Sequence, residues 1–420
     1  MQQLRKSNVY FIVGALALFV VIQVFLSVRI GGEPIINNYW RGIIFWGAAI
    51  TIVSLGLNLI FGFNGQFSLG QYGFYAIGAY VSADITYRYV RGDMSALIVV
   101  IGGSILTLLL MWGVSLLLKR FYGVHVTTLF VSNLLATVLG FWLAVRLLVP
   151  LLGPVVSTLL QALPPGLAQQ IVFFFALLGG AAVAGIVSFL FGIPVLELGS
   201  DYLGIATLGF AIIVFVLLNN SDTLLPFPEM KGARGMVGIP QWTTWPWVFF
   251  SLLLVILVMR NFLYSSTGRS IISVREDERA AELMGIDVGR AKILAFVLGS
   301  VFAGLGGGLR GHDMAFLHPS MFNVIQSLNP FIIVVFGGVG SMTGTILTGF
   351  GWIIFLEGVL RLYLPDGFEN WRFVIYPMIL VLMMLLRPEG LLGKYEIGFL
   401  RQRLPKPRMK SSEAGEEAAA

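Results

Sequence analysis

The sequence predicts an all-α polytopic membrane protein with about 10–12 transmembrane helices. Of its 420 residues, 57% are hydrophobic and only 11% are charged, whereas a soluble domain carries about 25% charged residues. Apolar stretches recur at about 20 residues, the length of helix that crosses a bilayer core of about 30 Å. The Lys and Arg residues gather in a few short connecting segments, as the positive-inside rule expects.

Twelve stretches qualify as spans: 9–28, 43–63, 69–85, 96–118, 126–149, 171–191, 203–218, 246–263, 293–309, 328–339, 346–360 and 373–386. The first follows Arg5 and Lys6. It is longer than a signal-peptide core and lacks a small-residue cleavage site, so it reads as a retained span. Bases cluster at Arg5 with Lys6, at Lys119 with Arg120, along 260–292 and in the tail from Arg387. If every stretch crosses, these four clusters share one side, which makes both termini cytoplasmic and the span count even. The loop 219–245 then faces outward, broken by Pro226, Pro228, Gly232, Gly235, Gly238 and Pro240. Trp242, Trp245 and Trp247 close it at the outer interface.

The chain divides accordingly. Residues 1–263 form a first transmembrane part, with an unusual hydrophobic hairpin near 121–170. Residues 264–292 are a charged loop, 293–390 a second transmembrane part, and 391–420 a basic tail that reads as disordered.

The same inventory excludes several classes of chemistry. There is no cysteine, which removes disulfides and thiolate sites. His125, His312 and His318 have no metal-binding spacing, and no phosphate loop of the GxxxxGK[ST] type is present, since Gly393 and Lys394 precede Tyr395. The chain reads as a non-enzyme with no catalytic residues, no metal and no cofactor of its own. Any ATP must be bound by partner subunits. The net charge of +6 lies in the loops, so nucleic acid is not a partner; the lipid bilayer is. Asp84, Arg146 and Glu357 stand near span ends, where side chains can reach the interface. So few intramembrane charges speak against an ion-coupled carrier. Gly304 with Gly308 and Gly340 with Gly344 have the spacing of close helix packing. In the alternative reading these stretches, with Gly337 and Gly338, break a helix beside a solute path.

The most informative segment is 265–292, SSTGRSIISVREDERAAELMGIDVGRAK. Good helix formers run from 275 to 284, and Gly285 is placed to end the helix as a left-handed cap. Such a short, charged helix is either a solvated loop helix or a lever that docks into a partner protein.

At this segment the chain resembles the permease subunits of ATP-binding-cassette importers, and more narrowly the LivM-type branched-chain amino-acid permeases. Their cytoplasmic loop carries an E-A-A-x-x-x-G pattern. Here Ala280, Ala281 and Gly285 match it, while Arg279 stands where the pattern has its acid and Glu278 lies one position earlier, a departure at the acidic contact. Three stretches extend the resemblance: 56–80 (GLNLIFGFNGQFSLGQYGFYAIGAY), 199–210 (GSDYLGIATLGF) and the glycine-rich 336–345. The resemblance implies an importer permease fold in a bacterial inner membrane. It implies that Glu278, Arg279, Ala280, Ala281, Leu283, Met284 and Gly285 couple to an ATPase. The implied partners are a sister permease, two cytoplasmic ATPases and an extracytoplasmic solute-binding protein, and the implied cargo is a branched-chain amino acid, with urea or short amides as the rival. Gly65, Gln66, Ser68, Gln71 and Tyr72 are the candidate solute path, because polar groups in lipid need a cavity or a partner; a turn with tight packing is the competing reading. Two other classes stay open. A self-contained carrier or channel would transport unaided, and a membrane-embedded enzyme would need the clustered His, Cys and acidic residues that are missing.

Overall fold

The computed structural model describes residues 2–30, 33–118, 125–195, 200–224, 228–363, 371–387, 389–393 and 395–400. Lys119, Arg120, Gly199, Pro226 and the tail beyond 400 lie outside the described residues. The first half comprises α1 (Gln2–Ser27), α2 (Asn38–Leu57) with a π-helical turn Asn58–Phe63, α3 (Gln71–Val90), α4 (Ser95–Leu118), α5 (Val126–Leu143), a π turn Ala144–Leu148, α6 (Val149–Ala162), α7 (Pro165–Val195), α8 (Ser200–Asn219) and α9 (Ser221–Leu224). The second comprises α10 (Trp245–Tyr264), α11 (Ser266–Glu276), α12 (Glu278–Leu283), α13 (Val288–Met314), α14 (Val324–Gly337), α15 (Met342–Ile353) with a π turn Ile354–Leu360, α16 (Arg361–Tyr363) and α17 (Arg372–Leu386). Among the described residues, sheet is confined to two antiparallel pairs of two-residue strands, β1 (Arg29–Ile30) with β2 (Glu33–Pro34) and β3 (Met236–Val237) with β4 (Phe316–Leu317). Among the described residues, nine helices are long and apolar enough to cross a membrane. The protein is an all-α polytopic membrane protein.

α13 is the central post, packed against α2, α3 and α7. Small residues permit this because, in lipid, helix association rests on close van der Waals approach. A Cβ on Gly78 of α3 would overlap the carbonyl of Gly304, and one on Gly56 of α2 the carbonyl of Gly299. Gly308 faces Leu177 and Ser82, so the Gly304–Gly308 spacing serves packing. Gly344 likewise packs against the Gly337 carbonyl, whereas Gly340 lies in the turn between α14 and α15. α14 ends at Gly337, Gly338 and Gly340 take positive φ, and α15 begins two residues later.

Four expectations change. No hairpin forms near 121–170: residues 126–162 are one continuous helix, turning only at 163–164 before α7. The prolines there do not stop it: Pro150 comes just after the π turn Ala144–Leu148 and Pro154 lies inside the helix, each removing one backbone donor without ending it. The helix foreseen over 275–284 is divided at Asp277, which is extended and whose side chain accepts the N–H of Ala280 to start α12. The tail from 391 is not disordered as far as 400. Leu391 N–H donates to Phe336 O, and Phe399 and Leu400 are buried. Finally, α3 does not begin at the end of the bundle. Phe74 meets Phe296 and the Tyr75 carbonyl lies under Gly307, so its first turn stands beside the middle of α13, reached by the non-helical run 64–70.

Candidate coupling loop and solute path

The charged loop lies at the bundle end shared by the α14–α15 turn and the C-terminal segment, here termed the loop end. Ser265 caps α11 through Gly268 N–H, Asp277 caps α12, and Asp287 caps α13 through Arg290 N–H. Three side-chain caps at three successive starts fix the path of a segment with almost no core of its own. Gly285 has φ +81° with open space around its Cα, a conformation that favours glycine. Ala281 is buried against the loop's base, and Lys292 pairs with Glu278 at 2.6 Å. Leu283 and Met284 are 88% and 83% exposed, whereas Glu278, Arg279 and Glu282 form an exposed polar rim beside them, with Ala280 exposed among them. The loop therefore presents two large apolar side chains at the tip of a capped helix.

One contact ties this loop to α2, and two sets of contacts beside it brace the α14–α15 turn. Arg275 of α11 donates to the Gly62 carbonyl at the π turn of α2. Asn58, opening that turn, donates from Nδ2 to Ser341 O and to Thr345 Oγ1, both at 2.9 Å, and accepts Gly340 N–H at 2.9 Å. From the other side, Glu396 accepts the N–H groups of Met342 (2.5 Å) and Thr343 (3.1 Å) at the start of α15. Burial pushes the Glu396 carboxyl up even so. Phe399, next in the same segment, lies under the Arg260 guanidinium, 3.9 Å from ring centroid to Cζ.

The residues expected on a solute path separate into three places. Gly65 takes φ +75° beside Arg275 and belongs to the loop end. Gln66, Ser68 and Gln71 are at most 4% exposed, and their side-chain polar atoms have no hydrogen-bond partner among the described residues; those of Asn64 join them. A buried polar group left unmade costs about 1–3 kcal/mol, and these four fall within eight residues between the π turn of α2 and the start of α3. Tyr72 continues the line. Its hydroxyl stands near the side chain of Asn329 on α14, and Asn329 lines a cavity of about 390 Å³ between α2, α14 and the π turn after α15.

That cavity lies in the half of the bundle remote from the charged loop, near the start of α2, where the Tyr39 hydroxyl bonds Glu357 O. Trp46, Ile332, Trp352 and Leu356 make its walls, and Gln326, Asn329 and Glu357 its polar groups. Asn329 Nδ2 donates to Gln326 Oε1 at 2.8 Å. Behind Trp46, the Arg310 guanidinium stands 4.9 Å from the ring centroid and pairs with Asp313 at 2.6 Å. Among the described residues no cluster of His, Cys, Asp and Glu is fit to hold a metal ion.

Residues 39–158 and 151–384 match the family described as branched-chain amino acid transport system / permease component. The chain belongs to this family. The high-affinity branched-chain amino acid transport system permease protein LivM of Salmonella typhimurium is 29% identical over 397 residues, covering 87% of this chain and 71% of its own. The probable branched-chain amino acid transport permease protein LivM of Methanocaldococcus jannaschii is 22% identical over 370 residues, 84% of this chain and 93% of its own. LivH of Escherichia coli, a permease protein of the same description, is 26% identical over 205 residues, 46% of this chain and 64% of its own. No solved structure matches the chain. The two stretches of the family match overlap at 151–158, inside the long α5–α6 helix.

For a permease of this family the sequence points to the loop but misses Trp46, Gln326, Asn329 and Glu357. One signal was available: Gln326 and Asn329 stand three apart on an apolar helix, a spacing that places two amides on one face. Asp84, read as reaching an interface, is instead buried beside Arg88, which also pairs with Glu229. Glu357 joins the cavity, whereas Arg146 is exposed on the π turn of the long helix.

Proposed function

We propose that this chain is a transmembrane permease subunit of an ATP-binding-cassette importer for branched-chain amino acids in a bacterial inner membrane, with both termini cytoplasmic. The observation that carries the proposal is the capped loop 265–292, with Leu283 and Met284 exposed over a buried Ala281, in a chain of the branched-chain amino-acid permease family.

The mechanism follows from the contacts. A cytoplasmic ATPase dimer binds the ATP, and its closure moves α12. Arg275 carries that motion to Gly62, and Asn58 carries it on to the α14–α15 turn. These helices border both the cavity and the unpartnered amides of the mid-bundle site, so the cavity opens alternately to either side, a two-state element biased by a bound partner. An extracytoplasmic binding protein delivers the solute, and a sister permease completes the path. The largely apolar cavity wall favours a branched aliphatic solute over urea or a short amide, which would leave it without a counterpart. The test is uptake by the complete complex in proteoliposomes, with leucine, isoleucine, valine, urea and acetamide in parallel. ATP-dependent accumulation of the three amino acids is the expected result; accumulation of urea or acetamide instead would reassign the cargo.

A further inference from the structure

Three independent features converge on the cavity between α2, α14 and α15. The first is chemical. Gln326, Asn329 and Glu357 share a space otherwise walled by Trp46, Ile332, Leu356 and their apolar neighbours. A groove open to lipid tails would leave an acid and two amides unsolvated, which is costly; a groove that receives a small amphipathic solute uses both halves. The second is local geometry. Glu357 stands in the π-helical turn Ile354–Leu360, and such turns inside α-helices occur often at functional sites because they redirect side chains. The third is size, since about 390 Å³ falls within the roughly 300–1,000 Å³ of small-molecule sites.

We infer that this cavity is a binding subsite on the permease itself for a zwitterionic α-amino acid with a branched aliphatic side chain. The Glu357 carboxylate, held by Arg361 at 3.8 Å, receives the α-ammonium group. The Gln326 amide, steadied by Asn329, donates to the α-carboxylate. Ile332, Leu356 and Trp46 enclose the side chain. Asn329, which lines the subsite, stands near Tyr72 at the start of α3.

This inference rests on the importer reading, and the chain's lack of cysteine makes both testable in one preparation. Leu328→Cys introduces a single thiol into the cavity lining. In the complete complex, its labelling by a membrane-impermeant maleimide is predicted to slow at least about tenfold with saturating leucine and to be unaffected by equal lysine or glutamate. Glu357→Gln is predicted to raise the leucine concentration for half-protection about tenfold, the loss of one charge-assisted contact. If the unmodified complex takes up leucine but labelling is the same with and without it, or no labelling occurs at all because the sister permease covers the thiol, the subsite is overturned while the importer reading stands. If the unmodified complex takes up no amino acid, the importer reading falls and the subsite with it.

Discussion

Arg275 donates a hydrogen bond to the carbonyl of Gly62, so the charged loop is fastened to the π turn of α2 by one side chain. Gly62 in turn abuts the backbone of Gly340, where a side chain at either position would intrude. A displacement of α11 therefore reaches the α14–α15 turn through two contacts. Arg275→Ala is predicted to leave the permease bound to its ATPases while lowering transport about 10- to 100-fold, the equivalent of one lost charge-assisted hydrogen bond of about 1.5–3 kcal/mol. ATP hydrolysis measured alongside uptake decides it, since loss of both together would mean that the ATPases no longer engage.

The exposed pair at the loop tip gives a second prediction. Leu283→Asp with Met284→Asp leaves the chain's thermal stability within about 0.5 kcal/mol, as surface changes do, but abolishes co-purification with the ATPases. Ala281→Arg acts differently. Ala281 is buried, so a large charge there displaces α12 itself, and its effect appears in stability as well as in binding. If the double Asp variant still binds ATPase normally, the docking surface lies elsewhere.

At the far end of the bundle, Arg88 holds Asp84, Asp93 and Glu229 together. Burial raises the Glu229 carboxyl, but its hydrogen bond with Asp84 and the pairing with Arg88 outweigh this and hold it below its usual range; Asp93 is lowered by its bonds to Ser95 and by Arg88 against a similar burial effect. Below the ordinary carboxylate range the unfolded chain binds more protons than the folded one, so this stabilisation is present above about pH 4 and is lost as pH falls through the depressed values. Amide exchange in 229–237 should therefore accelerate as pH drops below about 4, after correction for the intrinsic exchange rate. Arg88→Ala should make it fast already at pH 7 and cost about 3–5 kcal/mol, because two buried acids lose their counter-ion. Unchanged protection in that variant at pH 7 would mean that the cluster does not hold the loop.

Helix packing supplies a fourth prediction. Gly→Ala inside a helix ordinarily stabilises by about 0.5–1 kcal/mol, yet Gly78→Ala should destabilise by about 1–3 kcal/mol, because the new methyl group meets the Gly304 carbonyl. Gly113 of α4, with open space around it, provides the control in which Ala is tolerated. Thermal denaturation of the two variants in detergent should move in opposite directions; a parallel shift would remove the close α3–α13 contact from the account.

Most of the helices were legible because apolar length is a direct readout of the bilayer. The caps at Ser265, Asp277 and Asp287 show where that readout weakens: hydrophobicity located the loop, and Gly285 marked its end, but a single Asp divided one expected helix into two. The supposed hairpin failed because the helix runs on through Pro150, just after the π turn Ala144–Leu148, and through Pro154, so neither proline marked a turn. The proposed solute path was legible only in part. Gln66, Ser68 and Gln71 stand out as polar residues in an apolar stretch, whereas Trp46, Asn329 and Glu357 come together from three helices, and no local pattern records that meeting. The packed segment 395–400 was missed for a similar reason, since Glu396 derives its role from the start of α15, more than fifty residues earlier in the chain.

The claim that organises these contacts is that transport energy enters through 265–292 from another polypeptide. Its most direct test compares proteoliposomes holding this chain alone with proteoliposomes holding the complete complex, loaded with ATP and supplied with binding protein, under imposed sodium and proton gradients. Leucine accumulation in the complete complex only, dependent on ATP and abolished by Leu283→Asp with Met284→Asp, is the predicted result. Gradient-driven accumulation by the isolated chain would contradict it.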